Sequence, residues 1–128
     1  EVRFHSAAPY EIKDRYVLLK GDRGTMAVIP TVDGDFTISP GRHAILMAQK
    51  NATFRWVPYF GTVIRLPKER VVVATIIVPV ENDSDATEIV KSVRREESRK
   101  GNLMLSLRKE GKLYTFVLKQ DKEGLILE

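Results

Sequence analysis

The sequence predicts an all-β protein, built as a two-layer antiparallel β-sandwich of roughly eleven short strands. The first observation is the run Arg70–Val80, whose valines, isoleucines and threonine crowd χ1 in a helix but fit a pleated sheet. The second is that short apolar stretches separated by turn residues recur at roughly the 8- to 12-residue spacing of sandwiches and barrels. The third is that so many strands in one open sheet would leave an apolar face in water, which two stacked sheets avoid.

The run Arg70–Val80 is apolar on both of its pleats. Because a strand of this kind must be covered on both faces, we expect it to be the central strand around which the chain is organised. Pro79 has no backbone N–H to donate to a ladder, so it is predicted to mark the point where central pairing stops.

The first part of the chain predicts short strands joined by glycine-containing turns. Val2–His5 and Tyr10–Ile12 each have the apolar content of a short strand. Arg15–Lys20 and Thr25–Ile29 flank the loop Gly21–Gly24, whose terminal glycines can adopt the positive φ angles that hairpins require. We therefore predict a hairpin at this loop.

The stretch 32–50 contains one clear turn and one ambiguous segment. Val32–Asp35 predicts a turn that leads into a strand over Phe36–Ile38, and Ser39–Gly41 is predicted to break the chain again. Arg42–Lys50 is rich in residues that favour helix, whereas its surroundings favour a strand. We prefer the strand, and the helix remains the alternative.

The next segment carries the densest aromatic and basic group in the chain. Thr53–Phe60 is predicted to be a strand, and Gly61 is predicted to turn the chain into a second strand over Thr62–Leu66. Sugars stack their C–H faces on aromatic rings, and arginine forks pair with sulfate or carboxylate groups. The pattern is therefore compatible with a glycan-binding face, although such aromatic residues more often lie in a core or at an interface with another domain. The candidate glycan-binding residues are Arg55, Trp56, Tyr59, Phe60 and Arg65.

The segment 86–98 allows two interpretations. Asp85 and Glu88 have the spacing of a capping box, which predicts a helix that begins at Ala86. Its apolar stripe is thin for a packed helix. A strand to Val93 followed by a charged, solvated loop to Gly101 is therefore the alternative.

The end of the chain predicts an antiparallel meander. Leucines alternate with other residues over Leu103–Leu107, and a second alternation covers Leu113–Leu118. Lys109–Lys112 predicts the turn between these two strands, and Asp121–Gly124 predicts a turn into a last strand over Leu125–Leu127.

Length and composition exclude several classes of protein. A chain of 128 residues, 43% hydrophobic and 30% charged, predicts a single soluble domain over residues 1–128. No stretch approaches the roughly 18 uncharged apolar residues of a membrane span. The absence of cysteine excludes disulfides and thiolate metal sites but leaves the compartment open. Because the chain begins at Glu1 with an apolar alternation, we expect it to be a fragment of a larger multidomain protein.

The charge balance permits an acidic partner without requiring one. The net charge is +4, which suits an anionic polysaccharide, a nucleic acid or a membrane surface. Nucleic-acid binders concentrate their positive charge, whereas here it is scattered, so we predict no nucleic-acid partner. The basic run 94–100 is interrupted by glutamates and is typical of a solvated loop.

Residues with catalytic or metal-binding chemistry are sparse. No nucleophile elbow, phosphate loop or metalloprotease motif is present. The two histidines, His5 and His43, lie far apart in the sequence, and a site built on either would need partners brought in by the fold. We therefore favour ordinary surface or partly buried histidines over a site. We therefore predict no metal site and no cofactor, and His5, beside Arg3 and Ser6, is the one weak catalytic candidate.

Three segments together resemble the C-terminal β-sandwich region of heparinase II/III-type polysaccharide lyases. They are the opening EVRFHSAAPYEI, the strand and turn RVVVATIIVPVEND, and the closing GNLMLSLRKEGKLYTFVL. The resemblance implies a strand that ends in His-Ser, a long apolar strand that ends near proline, and a glycine-led final hairpin, in that order. It covers most of the chain as a pattern of strands and turns.

The resemblance implies an accessory domain, structural or glycan-contacting, rather than a catalytic one. Lyases of this family cleave uronic-acid-containing polysaccharides by β-elimination, and their Tyr and His residues lie mostly in a helical toroid and a central sheet domain. This chain has no room for the toroid, so only His5, at the family's His-Ser position, is carried over as a candidate. Neighbouring domains of the parent chain and a periplasmic or secreted location are implied as well. The alternative function is a free-standing carbohydrate-binding or protein-interaction module.

Overall fold

The computed structural model describes residues 1–6, 8–47, 53–65, 71–98, 101–120 and 125–127. These residues form eleven strands and one helix, and the strands make three antiparallel sheets, which confirms the all-β prediction. The elements are β1 (Val2–His5), β2 (Tyr10–Ile12), β3 (Val17–Gly21), β4 (Gly24–Thr31), β5 (Phe36–Met47), β6 (Thr53–Ile64), β7 (Ala74–Val80), α1 (Asp83–Ser92), β8 (Arg94–Glu97), β9 (Leu103–Lys109), β10 (Lys112–Gln120) and β11 (Leu125–Leu127).

The chain divides into two compact units, Glu1–Glu81 and Asn82–Glu128. The first unit contains two sheets, and the second contains one sheet and the helix. The single domain over residues 1–128 and the two-layer sandwich stay predictions. No helix among the described residues has the length and apolar content to cross a membrane.

The first sheet has the order β1-β6-β5 and is dominated by a long hairpin. β5 and β6 are each 12 residues long and pair from Phe36 opposite Ile64 to Met47 opposite Thr53. The preference for a strand over residues 42–47 is therefore confirmed, and residues 48–50 lie outside the described residues. β1 pairs with the other side of β6, with His5 opposite Tyr59.

Two predicted breaks in this sheet are wrong. Ser39–Gly41 lies inside β5, and Gly61 lies inside β6. A side chain at Gly41 would overlap the Tyr59 ring, and one at Gly61 would overlap the Glu1 carboxylate. The two glycines therefore do not turn the chain. Because they have no side chain, the Tyr59 ring and the Glu1 carboxylate can lie close to the backbone there.

The second sheet has the order β2-β3-β4-β7. The predicted hairpin at Gly21–Gly24 is confirmed, and Gly24 has a φ of 148°, which favours glycine. The predicted turn at Val32–Asp35 separates β4 from β5, and Gly34 has a φ of 118°.

The expectation of a central strand over Arg70–Val80 is wrong. β7 begins at Ala74 and pairs only with β4, so it is an edge strand among the described residues, and Arg70 lies outside them. Ile77 is 52% exposed, so the strand is not covered on both faces there. Pro79 does not end the pairing, because it lies opposite Met26 and β7 continues to Val80. An edge strand tolerates proline since one of its sides needs no N–H donors.

The two sheets of the first unit share one buried cluster. Val17 of β3, Val28 of β4 and Phe60 of β6 are at most 1% exposed. Phe4 stacks on Phe60 at 5.5 Å between ring centroids, and the Tyr10 hydroxyl donates to the carbonyl of Tyr59 at 2.9 Å. This cluster fixes which face of the first sheet points inward.

The second unit is the predicted antiparallel meander, with the order β8-β9-β10-β11. β9 and β10 are joined at Glu110 and Gly111, whose φ angles of 51° and 74° are those of a type I′ hairpin turn. Leu103, Leu105 and Leu107 are all buried, as their alternation indicates. The predicted turn at residues 121–124 lies outside the described residues.

The helical interpretation of the segment after Glu81 is correct, although the predicted cap is wrong. Asn82, not Asp85, is the N-cap, because its side-chain oxygen accepts from the Asp85 N–H at 3.0 Å. Buried Ala86 and Ile89 supply the apolar stripe that looked thin in the sequence. Residues 94–97 form β8 and pair with β9, so the prediction of a solvated loop there is wrong as well.

Candidate functional site

The candidate site lies on the face of the first sheet that points away from the buried cluster. Side chains alternate along a strand, so the neighbours of buried Phe4 and Phe60 project to the opposite face. We call this the outer face, and its polar and aromatic members are Glu1, Arg3, His5, His43, Arg55 and Tyr59. All of these side chains are exposed or half-buried.

The register of the sheet brings the two histidines of the chain together on this face. His5 lies opposite Tyr59 on one side of the middle strand, and His43 lies opposite Val57 on the other. Both rings reach across β6, and Nε2 of His5 is 2.9 Å from Nδ1 of His43. The ring centroids are 4.4 Å apart with an interplanar angle of 85°. Since one nitrogen donates and the other accepts, at least one ring in the pair is a neutral imidazole.

Tyr59 lies beside this histidine pair and is stacked by an arginine. Its ring centroid is 5.7 Å from that of His5 and 6.2 Å from that of His43. The guanidinium carbon of Arg3 lies 4.9 Å from the Tyr59 ring centroid, within the range of a cation–π interaction. Gly41 leaves the space into which the Tyr59 ring folds.

An ion pair between Arg3 and Glu1 lies at the edge of the outer face, beside Tyr59. Nη2 of Arg3 donates to Oε2 of Glu1 at 2.8 Å. This hydrogen bond lowers the pKa of the Glu1 carboxyl and raises the pKa of the Arg3 guanidinium. Both side chains are accessible to water, so the pair is screened and orients Arg3 more than it stabilises the fold.

The five predicted glycan-binding residues do not form one surface. Arg55 and Tyr59 lie on the outer face, and Arg65 is exposed just beyond the end of β6. Trp56 projects to the opposite face yet is 64% exposed. Phe60 is 1% exposed and packs in the core, so it is not available to a ligand. The grouping in the sequence is divided because adjacent residues of a strand point to opposite faces.

Two further features of the first sheet lie outside this site, one at the end of β6 and one on the opposite face of the hairpin. Arg65 lines a cavity of about 310 Å³ together with Asp35, Phe36, Thr37 and Val63. Exposed Arg42 lies opposite Pro58, on the same face as Trp56, so that face of the long hairpin also carries a cation beside an aromatic ring.

Sequence reasoning missed Arg3 and His43 as site residues. His43 was considered only as an isolated histidine, because no local spacing links it to His5. The signal that could have joined them is the pairing register of β1 and β5 on β6. Reading Gly41 and Gly61 as turns hid that register. Among the described residues, no group of three or more histidine, cysteine, aspartate or glutamate side chains converges.

Comparisons of the chain with protein-family models, with curated proteins and with solved structures found no match. The resemblance to heparinase II/III-type lyases therefore stays a hypothesis.

Proposed function

We propose that this chain is an accessory β-domain that contacts an anionic, uronic-acid-containing polysaccharide as part of a heparinase II/III-type lyase. The observation that supports contact with a glycan is the outer face, where Arg3, Tyr59 and the His5–His43 pair meet on one exposed sheet surface. The link to a lyase depends on the resemblance of the strand pattern alone.

The chemistry of the outer face suits an acidic sugar. A guanidinium pairs with a carboxylate or a sulfate through two parallel hydrogen bonds, and imidazole N–H groups can donate to hydroxyls. Arg55 lies four residues from Tyr59 on the same face of β6, or about 13 Å along the strand. The two arginines, Arg55 and Arg3, therefore suit separate acidic groups of one polysaccharide molecule.

Titration of the protein with alginate, heparin and neutral dextran at low and high salt tests this proposal. We expect binding to the two polyanions, weakening as salt screens the charges, and none to dextran. The combined variant Arg3→Gln and Arg55→Gln should lose most of this binding. The matched control is Arg23→Gln, which removes an exposed arginine from the β3–β4 turn. Absence of binding, or an equal loss in the control, would contradict the proposal.

A parallel substitution decides which face of the first sheet is used. Trp56 projects opposite to Tyr59 and is 64% exposed. If the outer face binds, Trp56→Ala leaves the affinity for alginate unchanged, whereas Tyr59→Ala lowers it. A loss confined to Trp56→Ala would move the site to the opposite face of the hairpin, beside Arg42.

One observation favours a second function, a protein-interaction module. In the second unit, β10 exposes Tyr114 at 41% and Phe116 at 38%, and these two residues lie on the same face of the strand. Exposed apolar side chains of this size mark protein-interaction surfaces when they form a patch. Self-association at high concentration that Tyr114→Ser and Phe116→Ser abolish, together with failure to bind either polyanion, would favour this function over the first.

A further inference from the structure

We propose that His5 and His43 form a two-ligand site for a divalent transition-metal ion of the kind that imidazole prefers, such as Zn²⁺ or Ni²⁺. The proposal depends on the geometry of the histidine pair and not on the glycan proposal. The two ring nitrogens that face each other, Nε2 of His5 and Nδ1 of His43, belong to strands on opposite sides of β6.

The distance between these nitrogens is close to that of two ligands on one ion. A Zn–N bond is about 2.0–2.1 Å, which places two nitrogens of a tetrahedral site about 3.3 Å apart. The observed separation is 2.9 Å. A widening of about 0.4 Å admits the ion. His5 is exposed and His43 is half-buried, so rotation of the rings can supply this change without a shift of the backbone.

The hydrogen bond of the pair converts to a metal site by one proton shift. In the neutral pair, one facing nitrogen carries the shared hydrogen and the other offers its lone pair. If the donor ring moves that hydrogen to its other nitrogen, both facing nitrogens present lone pairs. The metal then gains two neutral imidazole ligands and loses two waters, and no proton is released. At lower pH, protons compete with the metal for the same lone pairs.

The surroundings of the pair set the type of metal and the limits of affinity. Arg3 stacks on Tyr59 beside the site, but its charge is partly balanced by Glu1 at 2.8 Å. Since the described residues bring no third histidine or carboxylate to the pair, water completes the coordination shell. Two nitrogen ligands suit zinc, nickel and copper, whereas magnesium and calcium take oxygen ligands.

Calorimetric titration of the tag-free chain with Zn²⁺, Ni²⁺ and Mg²⁺ tests the site. The chain has two histidines and no cysteine, so the imidazole signals in a nuclear magnetic resonance spectrum report on the site without ambiguity. We expect one Zn²⁺ or Ni²⁺ per chain, a shift of both ring signals together, and no response to Mg²⁺. Binding should weaken in acid, because protons compete with the metal for the imidazole lone pairs.

Single substitutions separate a chelating pair from two independent surface histidines. His5→Asn and His43→Asn should each weaken Zn²⁺ binding at least about tenfold, the loss that even an outer-shell partner causes at metal sites. Arg23→Gln, in the exposed β3–β4 turn, is the control and should retain the affinity. Absence of binding, a stoichiometry above one, or a single variant that binds as tightly as the unaltered chain would overturn the proposal.

Discussion

The two faces of the first sheet are made by the same three strands, but one packs in the core and the other is exposed. On the inner face Phe4, Ile38 and Phe60 pack into the buried cluster. On the outer face, Arg3, His5 and Tyr59 are each next in sequence to an inner-face residue and remain accessible, and Arg3 and His5 both contact the Tyr59 ring. Along β1 and β6, alternate residues therefore either pack in the core or lie on the exposed face. Substitutions on the two faces should therefore have separable effects.

The largest effect is expected on the inner face, at Phe60. Truncation of a buried phenylalanine removes its apolar contacts and leaves a cavity, which costs about 3–5 kcal/mol. Phe60→Ala should lower the free energy of unfolding by this amount in urea titrations. A cost below about 1 kcal/mol would mean that Phe60 is not part of the core, since surface substitutions fall in that range.

A substitution beneath the Tyr59 ring, at Gly41, should have the next largest effect. The Cβ that Gly41→Ala adds would overlap the Tyr59 ring, so the ring must move away from its position on the outer face. Because the clash involves the far end of the half-buried Tyr59 side chain, which can turn aside, the cost lies at the low end of the range of about 1–3 kcal/mol for overpacking. We expect lower stability in urea together with changed imidazole signals for both histidines. Unchanged signals would show that Tyr59 does not lie over Gly41.

A hydrogen bond that links the inner side to the backbone of Tyr59 should contribute less. The Tyr10 hydroxyl donates to the carbonyl of Tyr59 at 2.9 Å. Tyr10→Phe removes this donor and should cost about 1 kcal/mol in thermal or urea unfolding. If Tyr10→Phe were as stable as the unaltered chain, the hydrogen bond from Tyr10 to Tyr59 would be contradicted.

The turns of the fold were easier to predict from the sequence than the pairing of its strands. The hairpins at Gly24 and Gly111 were predictable because a turn depends on the φ angles of adjacent residues. The edge position of β7 and the meeting of His5 with His43 depend on which strands pair, and in what register. That register depends on packing across the whole unit, which no local pattern in the sequence reports.

The candidate site was partly predictable for the same physical reason. Arg55 and Tyr59 were chosen because basic and aromatic residues are dense in that stretch, and both do reach the outer face. Phe60 was chosen by the same criterion although it is buried. A high density of basic and aromatic residues identifies the strand. It does not show which of these residues are exposed, because that depends on which face of the strand packs against the core.

The smallest effect is expected from the ion pair at the edge of the outer face. Arg3 lowers the pKa of Glu1 below its ordinary value in the folded state, so the contribution of the pair to stability is present above that ordinary value. It is lost as the pH falls through the lowered pKa. Glu1→Gln should therefore reduce stability slightly at neutral pH and not at all in strong acid. A larger loss in acid than at neutral pH would contradict the direction of the shift.

The central claim is that the fold brings His5 and His43 into contact on an exposed sheet face. The most direct measurement is the nuclear magnetic resonance spectrum of the imidazole side chains, since the chain contains two histidines. The structure predicts cross-relaxation between the two rings and between the His5 and Tyr59 rings, with both imidazole signals changed in His43→Asn or in His5→Asn. Two rings without cross-relaxation, each unaffected by loss of the other, would contradict it.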